Sequence, residues 1–264
     1  MRKYLHLAKV IAEEYFAYRL NFILWRVRMV LRLLTLYFLW ETIFRGQGEI
    51  GNYNHTQVLT YVLLSSVLVA TVISSRTIDA AGEISRGDLS NWLVRPLSYF
   101  KYYISKDCVD KLLNIGFAVV EIAMIVYFLK PAVFLQTNIQ TIFLFLLAAF
   151  LATVLFFLLS FLISFIGFWS PEVWAPRFLL IACLEFLSGG LFPLDLLPKP
   201  VFEVLTLLPF NYLLYFPAKI YLGQLSAFES IKGMFIAAAW VFIFYRLFRA
   251  VWKKGLRAYS AEGR

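Results

Sequence analysis

The residues able to do chemistry in this sequence are few, and most of them gather in one polar interval. Asp79, Glu83, Arg86, Asp88 and Arg95 fall within Asp79–Leu97 (DAAGEISRGDLSNWLVRPL), between long apolar runs. Leu89, Trp92, Leu93 and Leu97 follow at i, i+3, i+4 and i+8, the spacing of one helix face. Gly87 and Pro96 punctuate the interval, so the spacing predicts a short helix broken by a turn. A charged, half-apolar helix between two membrane-length runs suits docking onto a partner at the membrane surface. Two further acids, Glu121 and Glu185, lie inside apolar runs. A charge at the bilayer centre costs ~2.5–3.5 kcal/mol, so each faces either an arginine at a helix interface or a cavity where it has a function. Structural pairing is the commoner role. Glu41 falls near the outer end of an apolar run, at the interface.

Catalytic motifs are missing. The sequence has no G-x-S-x-G, no H-E-x-x-H and no C-x-x-C, and His6 and His55 are far apart. Cys108 and Cys183 suit neither a disulfide nor a metal site. Gly46-Gln-Gly-Glu-Ile-Gly51 matches G-x-G-x-x-G, but no strand precedes it and a membrane run follows, so it is no dinucleotide site. No G-x-x-x-x-G-K-[ST] is present, so this chain does not cradle ATP phosphates itself. No cofactor or metal is expected on it.

The composition is that of a membrane protein. Of 264 residues 61% are hydrophobic and only 16% charged, against about a quarter charged in soluble domains. The net charge of +9 sits beside apolar runs, which favours contact with anionic lipid headgroups over nucleic acid. No cleavable signal peptide is expected, so the first span serves as an anchor.

The elements expected to position these residues form an all-α integral membrane protein with a single transmembrane domain over residues 1–264. Tyr4–Tyr18 reads as an amphipathic helix lying in the interface. Six spans follow at residues 22–44, 57–75, 108–129, 139–168, 178–192 and 231–248. Arg26, Arg28 and Arg32 interrupt the first and are expected in its cytoplasmic half, snorkelling or facing other helices. Five of the nine prolines fall between Pro193 and Pro217, and lipid does not tolerate exposed irregular backbone. Residues 193–223 therefore read as a re-entrant outer hairpin of short helices. With both termini in the cytoplasm, twenty of the 25 lysines and arginines fall on the cytoplasmic side, a strong positive-inside bias.

This pattern resembles the type-2 ABC transporter permeases, the membrane-spanning subunits of bacterial ABC exporters. Glu83-Ile-Ser-Arg-Gly-Asp-Leu-Ser-Asn-Trp-Leu-Val-Arg-Pro-Leu97 resembles their segment E-I-x-x-G-x-L-x-x-x-L-x-R-P-L. Ser188-Gly-Gly-Leu-Phe-Pro-Leu-Asp-Leu-Leu-Pro198, then Leu208-Pro-Phe210, Pro217 and Gly223, resemble their re-entrant region. The resemblance implies that the loop after the second span is a coupling helix seated on a cytoplasmic ATPase. Glu83, Arg86, Gly87, Leu89, Trp92, Leu93, Arg95 and Pro96 are then its coupling residues. It further implies a dimer of ATPases that bind ATP and Mg, a second permease (the same chain or another), and the bacterial inner membrane. The function expected is permease of an exporter for an amphipathic or hydrophobic substrate such as a drug, lipid, glycolipid or peptide. A polysaccharide exporter is the nearest alternative; a lipid-modifying membrane enzyme using Glu121 or Glu185, or a scaffold, are more distant ones.

Overall fold

A computed structural model describes residues 9–11, 13, 19–46 and 48–259. Of the expected interfacial helix Tyr4–Tyr18, residues 9–11 and 13 are helical and the remainder lies outside the described residues. The chain is helical nearly throughout. In order come α1 (Arg19–Phe44), a hairpin of β1 (Glu49–Ile50) and β2 (Tyr53–Asn54), and α2 (His55–Leu68), which widens into a π turn over Val69–Ile73. The short α3 (Ile78–Ser85) and α4 (Leu89–Leu93) lead to α5 (Tyr99–Leu129). Next are α6 (Ile139–Ser164), continued by a 3-10 turn to Phe168, and α7 (Trp174–Leu187). Last come α8 (Lys199–Leu207), α9 (Tyr215–Tyr221) and α10 (Ala227–Ala258).

Local sequence fixes several boundaries. Asn54 and Gln57 form a capping box that starts α2, and Ser226 and Glu229 form another that starts α10. The Asn138 side chain accepts the first free amides of α6. Gly46 belongs to the turn after α1, and residues 48–51 to the bend and hairpin behind it.

By length and composition four stretches are long and apolar enough to cross a membrane: His55–Ser85, Tyr99–Leu129, Ile139–Phe168 and Ala227–Ala258. The protein is thus an all-α, multi-pass membrane protein. Two of the expected spans are not among these four. α1 carries Arg26, Arg28, Arg32 and Glu41, and α7 has 14 residues, roughly 21 Å of helix against a core of about 30 Å. Helix α5 starts at Tyr99, ahead of the expected Cys108, because the charged residues of its first turns are taken up by polar partners.

Two cores hold the helices together. The larger joins α1, α2, α6 and the Pro-rich region through residues such as Trp40, Tyr61, Leu155, Leu184, Leu213 and Tyr215. The Pro-rich segment packs into this core as α8, α9 and two 3-10 turns. Backbone carbonyls between the end of α7 and this segment are met by protein: Tyr61 donates to the Gly189 carbonyl (2.6 Å), Trp40 to Leu191 (3.2 Å), and the Tyr215 amide to Ser188 (2.9 Å). A buried charge cluster pins it further. Lys219 and Tyr53 both donate to Asp195, each at 2.8 Å, and the Lys219 ammonium lies 4.8 Å from the Tyr53 ring. Burial, and after it the neighbouring Asp195 carboxylate, raises the Tyr53 phenol above its ordinary value and keeps it a donor.

Removing one member of a buried pair leaves the other charge uncompensated, at a cost of about 3–5 kcal/mol. Asp195→Ala should therefore lower the thermal unfolding temperature of the detergent-solubilised chain by many degrees. The double variant Asp195→Ala/Lys219→Met should regain most of that loss.

Candidate functional site

Residues 79–97 carry two short helices joined by a turn at Gly87, where φ is +84° and a side chain would be strained. Their inner side enters the second core. Ala80, Ile84 and Leu89 are buried against Tyr99 and Tyr103 of α5, Phe161, Phe165 and Phe168 at the end of α6, and Phe248 of α10. Hydrogen bonds lock the same surface. Ser164 donates to the Thr77 carbonyl (2.8 Å) and Tyr99 donates to the Glu83 carboxylate (3.0 Å). Just past α10, the Tyr259 hydroxyl donates to the Gly87 carbonyl (2.5 Å) and accepts the Ser90 amide (3.0 Å).

The outer side faces away from this core; its Arg86 donates locally, to Asp88 (3.2 Å). Val94 is 85% exposed and Leu93 51%, and Arg86, Arg95 and Pro96 are exposed with them. The Arg95 guanidinium lies 4.9 Å from the half-buried Trp92 ring. The eight residues singled out in the sequence thus divide. Glu83, Gly87 and Leu89 hold the stretch to the protein, Trp92 lies between, and Arg86, Leu93, Arg95 and Pro96 form its surface. Val94, the most exposed of the apolar residues here, was not among them.

A row of polar side chains on α5 continues from this stretch into the helical bundle. Asp107 accepts the Ser75 hydroxyl (2.9 Å) and the Arg76 amide (2.8 Å) and pairs with Lys111 (3.2 Å). Asp110 accepts Ser74 and the Arg76 guanidinium (3.2 Å). Lys106 reaches across to Asp79 at 2.7 Å. Asn114 donates to Asp110 (3.0 Å) and accepts Arg26 (3.1 Å), and Arg26 donates to Glu121 at 2.7 Å. From Ser75 and Arg76, just ahead of α3, these contacts run through Asp110 and Asn114 to Arg26 in the first third of α1. Glu185 meets Arg32, which donates to it at 2.6 Å and also reaches the Gly190 carbonyl. Glu121 and Glu185 therefore both pair with arginines of α1, and His55 pairs with Glu41 at 2.8 Å.

Between α1, the π turn, α5, α6 and α7 lies a cavity of about 630 Å³. Five cations border it, Arg28, Arg32, Arg76, Lys106 and Arg177, against the acids Asp110 and Glu185. Trp25, Met29, Val69, Phe156 and Ile181 supply apolar wall. Among the described residues no group of His, Cys, Asp and Glu is arranged to hold a metal.

The chain thus sets a braced polar stretch between two long helices and a Pro-rich segment of short helices before the last. The sequence profile described as ABC-2 family transporter protein matches residues 30–263, nearly the whole chain. The chain belongs to the ABC-2 transporter family. It is a transmembrane subunit of an ABC transporter, not itself catalytic, of a family that works with an ABC ATPase and often a second permease. No curated protein sequence matches this ABC-2 subunit.

Sequence reasoning passed over Lys106, Asp107, Asp110 and Asn114 in this ABC-2 chain. Their signal was present: Asp107, Asp110, Asn114 and Glu121 recur at steps of three, four and seven, one stripe of a helix. Tyr259, beyond the last helix, gave no pattern at all. Tyr259→Phe removes the hydroxyl that bridges Gly87 and Ser90. A hydrogen bond of this kind contributes about 1 kcal/mol, so amides over 85–93 should exchange several-fold faster, as read by hydrogen–deuterium exchange mass spectrometry.

Proposed function

We propose that this chain is the permease of an ATP-driven exporter, crossing the bacterial inner membrane six times with both termini in the cytoplasm. Its coupling helix is residues 79–97. The observation that carries the reading is the two-sidedness of that stretch: Leu93, Val94 and Arg95 stand exposed at its surface while Ile84 and Leu89 are locked into α5, α6 and α10. A surface that receives motion must be free on one side and stiffly joined to the moving helices on the other.

The six crossings draw support from the pairing in α1. With Arg26 and Arg32 compensated by Glu121 and Glu185, the main charge penalty against α1 as a span is offset. The short α7 completes its crossing through the Pro-rich segment, whose irregular backbone is buried in protein. Twenty basic residues on the side of residues 79–97 agree with that side being cytoplasmic. There a separate ATPase dimer binds ATP and Mg and pushes on the coupling helix, and a second permease, identical or different, completes the pathway. An amphipathic or hydrophobic substrate fits the mixed walls of the cavity. A polysaccharide path has less in its favour, because much of the aromatic surface is spent on the core beneath residues 79–97.

Affinity purification of the chain from native membranes should bring an ATPase with it. Leu93→Asp/Val94→Asp should cut the bound ATPase at least tenfold while the permease keeps its elution volume and unfolding temperature. If no ATPase accompanies the unaltered chain, the transporter reading fails.

A further inference from the structure

The cavity described above has more cations than its own acids neutralise. Arg32 is met by Glu185, Arg76 by Asp110 and Lys106 by Asp79. Arg28 and Arg177 form no ion pair among the described residues, and the Nε of Arg177 is buried without a hydrogen-bond acceptor. A buried donor left without an acceptor is costly, the more so when it is charged, which favours an acceptor supplied from outside the chain. Guanidinium groups present planar forks that match oxyanions with two or three free oxygens.

The cavity is also graded. Arg76 lies in the loop just before α3, Arg177 in the first turn of α7 and Lys106 against Asp79, whereas Val69, Phe156 and Ile181 lie further along their helices from that end. A volume near 630 Å³ takes a headgroup and the first part of an acyl chain, far more than an inorganic ion. On the orientation proposed above, the cationic rim stands at the cytoplasmic face and the apolar wall at the depth of the inner leaflet.

We propose that this cavity binds a lipid with an anionic phosphate headgroup, the phosphate held by Arg28 and Arg177 and the chain laid along Val69, Phe156 and Ile181. The proposal rests on the permease reading and names the charge and class of the substrate, or of a resident lipid, at that site. Inorganic phosphate offers the same oxygens but leaves the apolar wall uncovered, so the two sources are separable.

The test uses the purified full chain in uncharged maltoside micelles, without any ATPase. Spin-labelled phosphatidic acid and spin-labelled phosphatidylcholine are titrated and the immobilised fraction is read by electron paramagnetic resonance. Phosphatidic acid should bind at least tenfold more tightly than phosphatidylcholine. Arg28→Gln alone, at an exposed position where folding is safe, should narrow that preference several-fold, and Arg28→Gln/Arg177→Gln should abolish it. Lys253→Gln, at an exposed position in the last turns of α10, should leave it unchanged. Equal binding of the two lipids, or a preference untouched by both arginine variants, overturns the proposal. Displacement of the spin-labelled lipid by inorganic phosphate as effectively as by unlabelled phosphatidic acid overturns the lipid assignment in favour of a small anion. Because no ATPase is present, a failure here leaves the permease reading standing, and a failure of ATPase co-purification leaves the binding result standing.

Discussion

A charge buried among apolar helices has to bring its own counter-charge, and this constraint governs where α1 can stand. Arg26 and Arg32 sit six residues apart on that helix and find Glu121 on α5 and Glu185 on α7. Neither acid would be tolerated in its own apolar helix without the arginine, and neither arginine in α1 without the acid. The helix that is least like a membrane span is thereby fixed between two others. The pair of Arg32 with Glu185 joins α1 to α7 at the border of the cavity.

The same economy explains the other irregular parts. The Pro-rich segment after α7 has few helical hydrogen bonds to offer its own backbone, and Tyr61, Trp40 and the Ser188 carbonyl supply the missing partners. Asp195, Lys219 and Tyr53 add a closed charge cluster that belongs to three separate pieces of chain. The polar start of α5 is likewise satisfied by Ser74, Ser75, Arg76 and Asp79, which is why a helix rich in charge at that end continues without a break.

Much of this was legible in the sequence, but only where a single segment carries the signal. The spacing of Leu89, Trp92 and Leu93 and the glycine before them announce a broken helix, and two short helices are found. The spacing does not say which neighbours the helix meets. Leu89 turns inward and Leu93 outward because the aromatic rings of α5, α6 and α10 cover one side, and those rings lie up to 160 residues away in the chain. Glu121 and Glu185 were visible as anomalies in apolar text, whereas their partners had to come from another helix. The stripe of Asp107, Asp110 and Asn114 was passed over because charges near a span boundary look like ordinary surface. The short α7 was foreshadowed by Gly189 and Gly190, which end it early.

Helix α10 is tied at both extremities. At its start a Cβ on Gly233 would lie 2.2 Å from the Phe216 ring, so the helix is pressed directly onto α9; at its finish Tyr259 grips the turn at Gly87. Thirty-two residues of unbroken helix make a strut of roughly 48 Å. Such a strut transmits tilt without needing a relay of side chains along its length. Because the strut is one rigid piece, any displacement at the Gly87 corner is at the same time a displacement against α9, so the two ends of the helix keep time with each other.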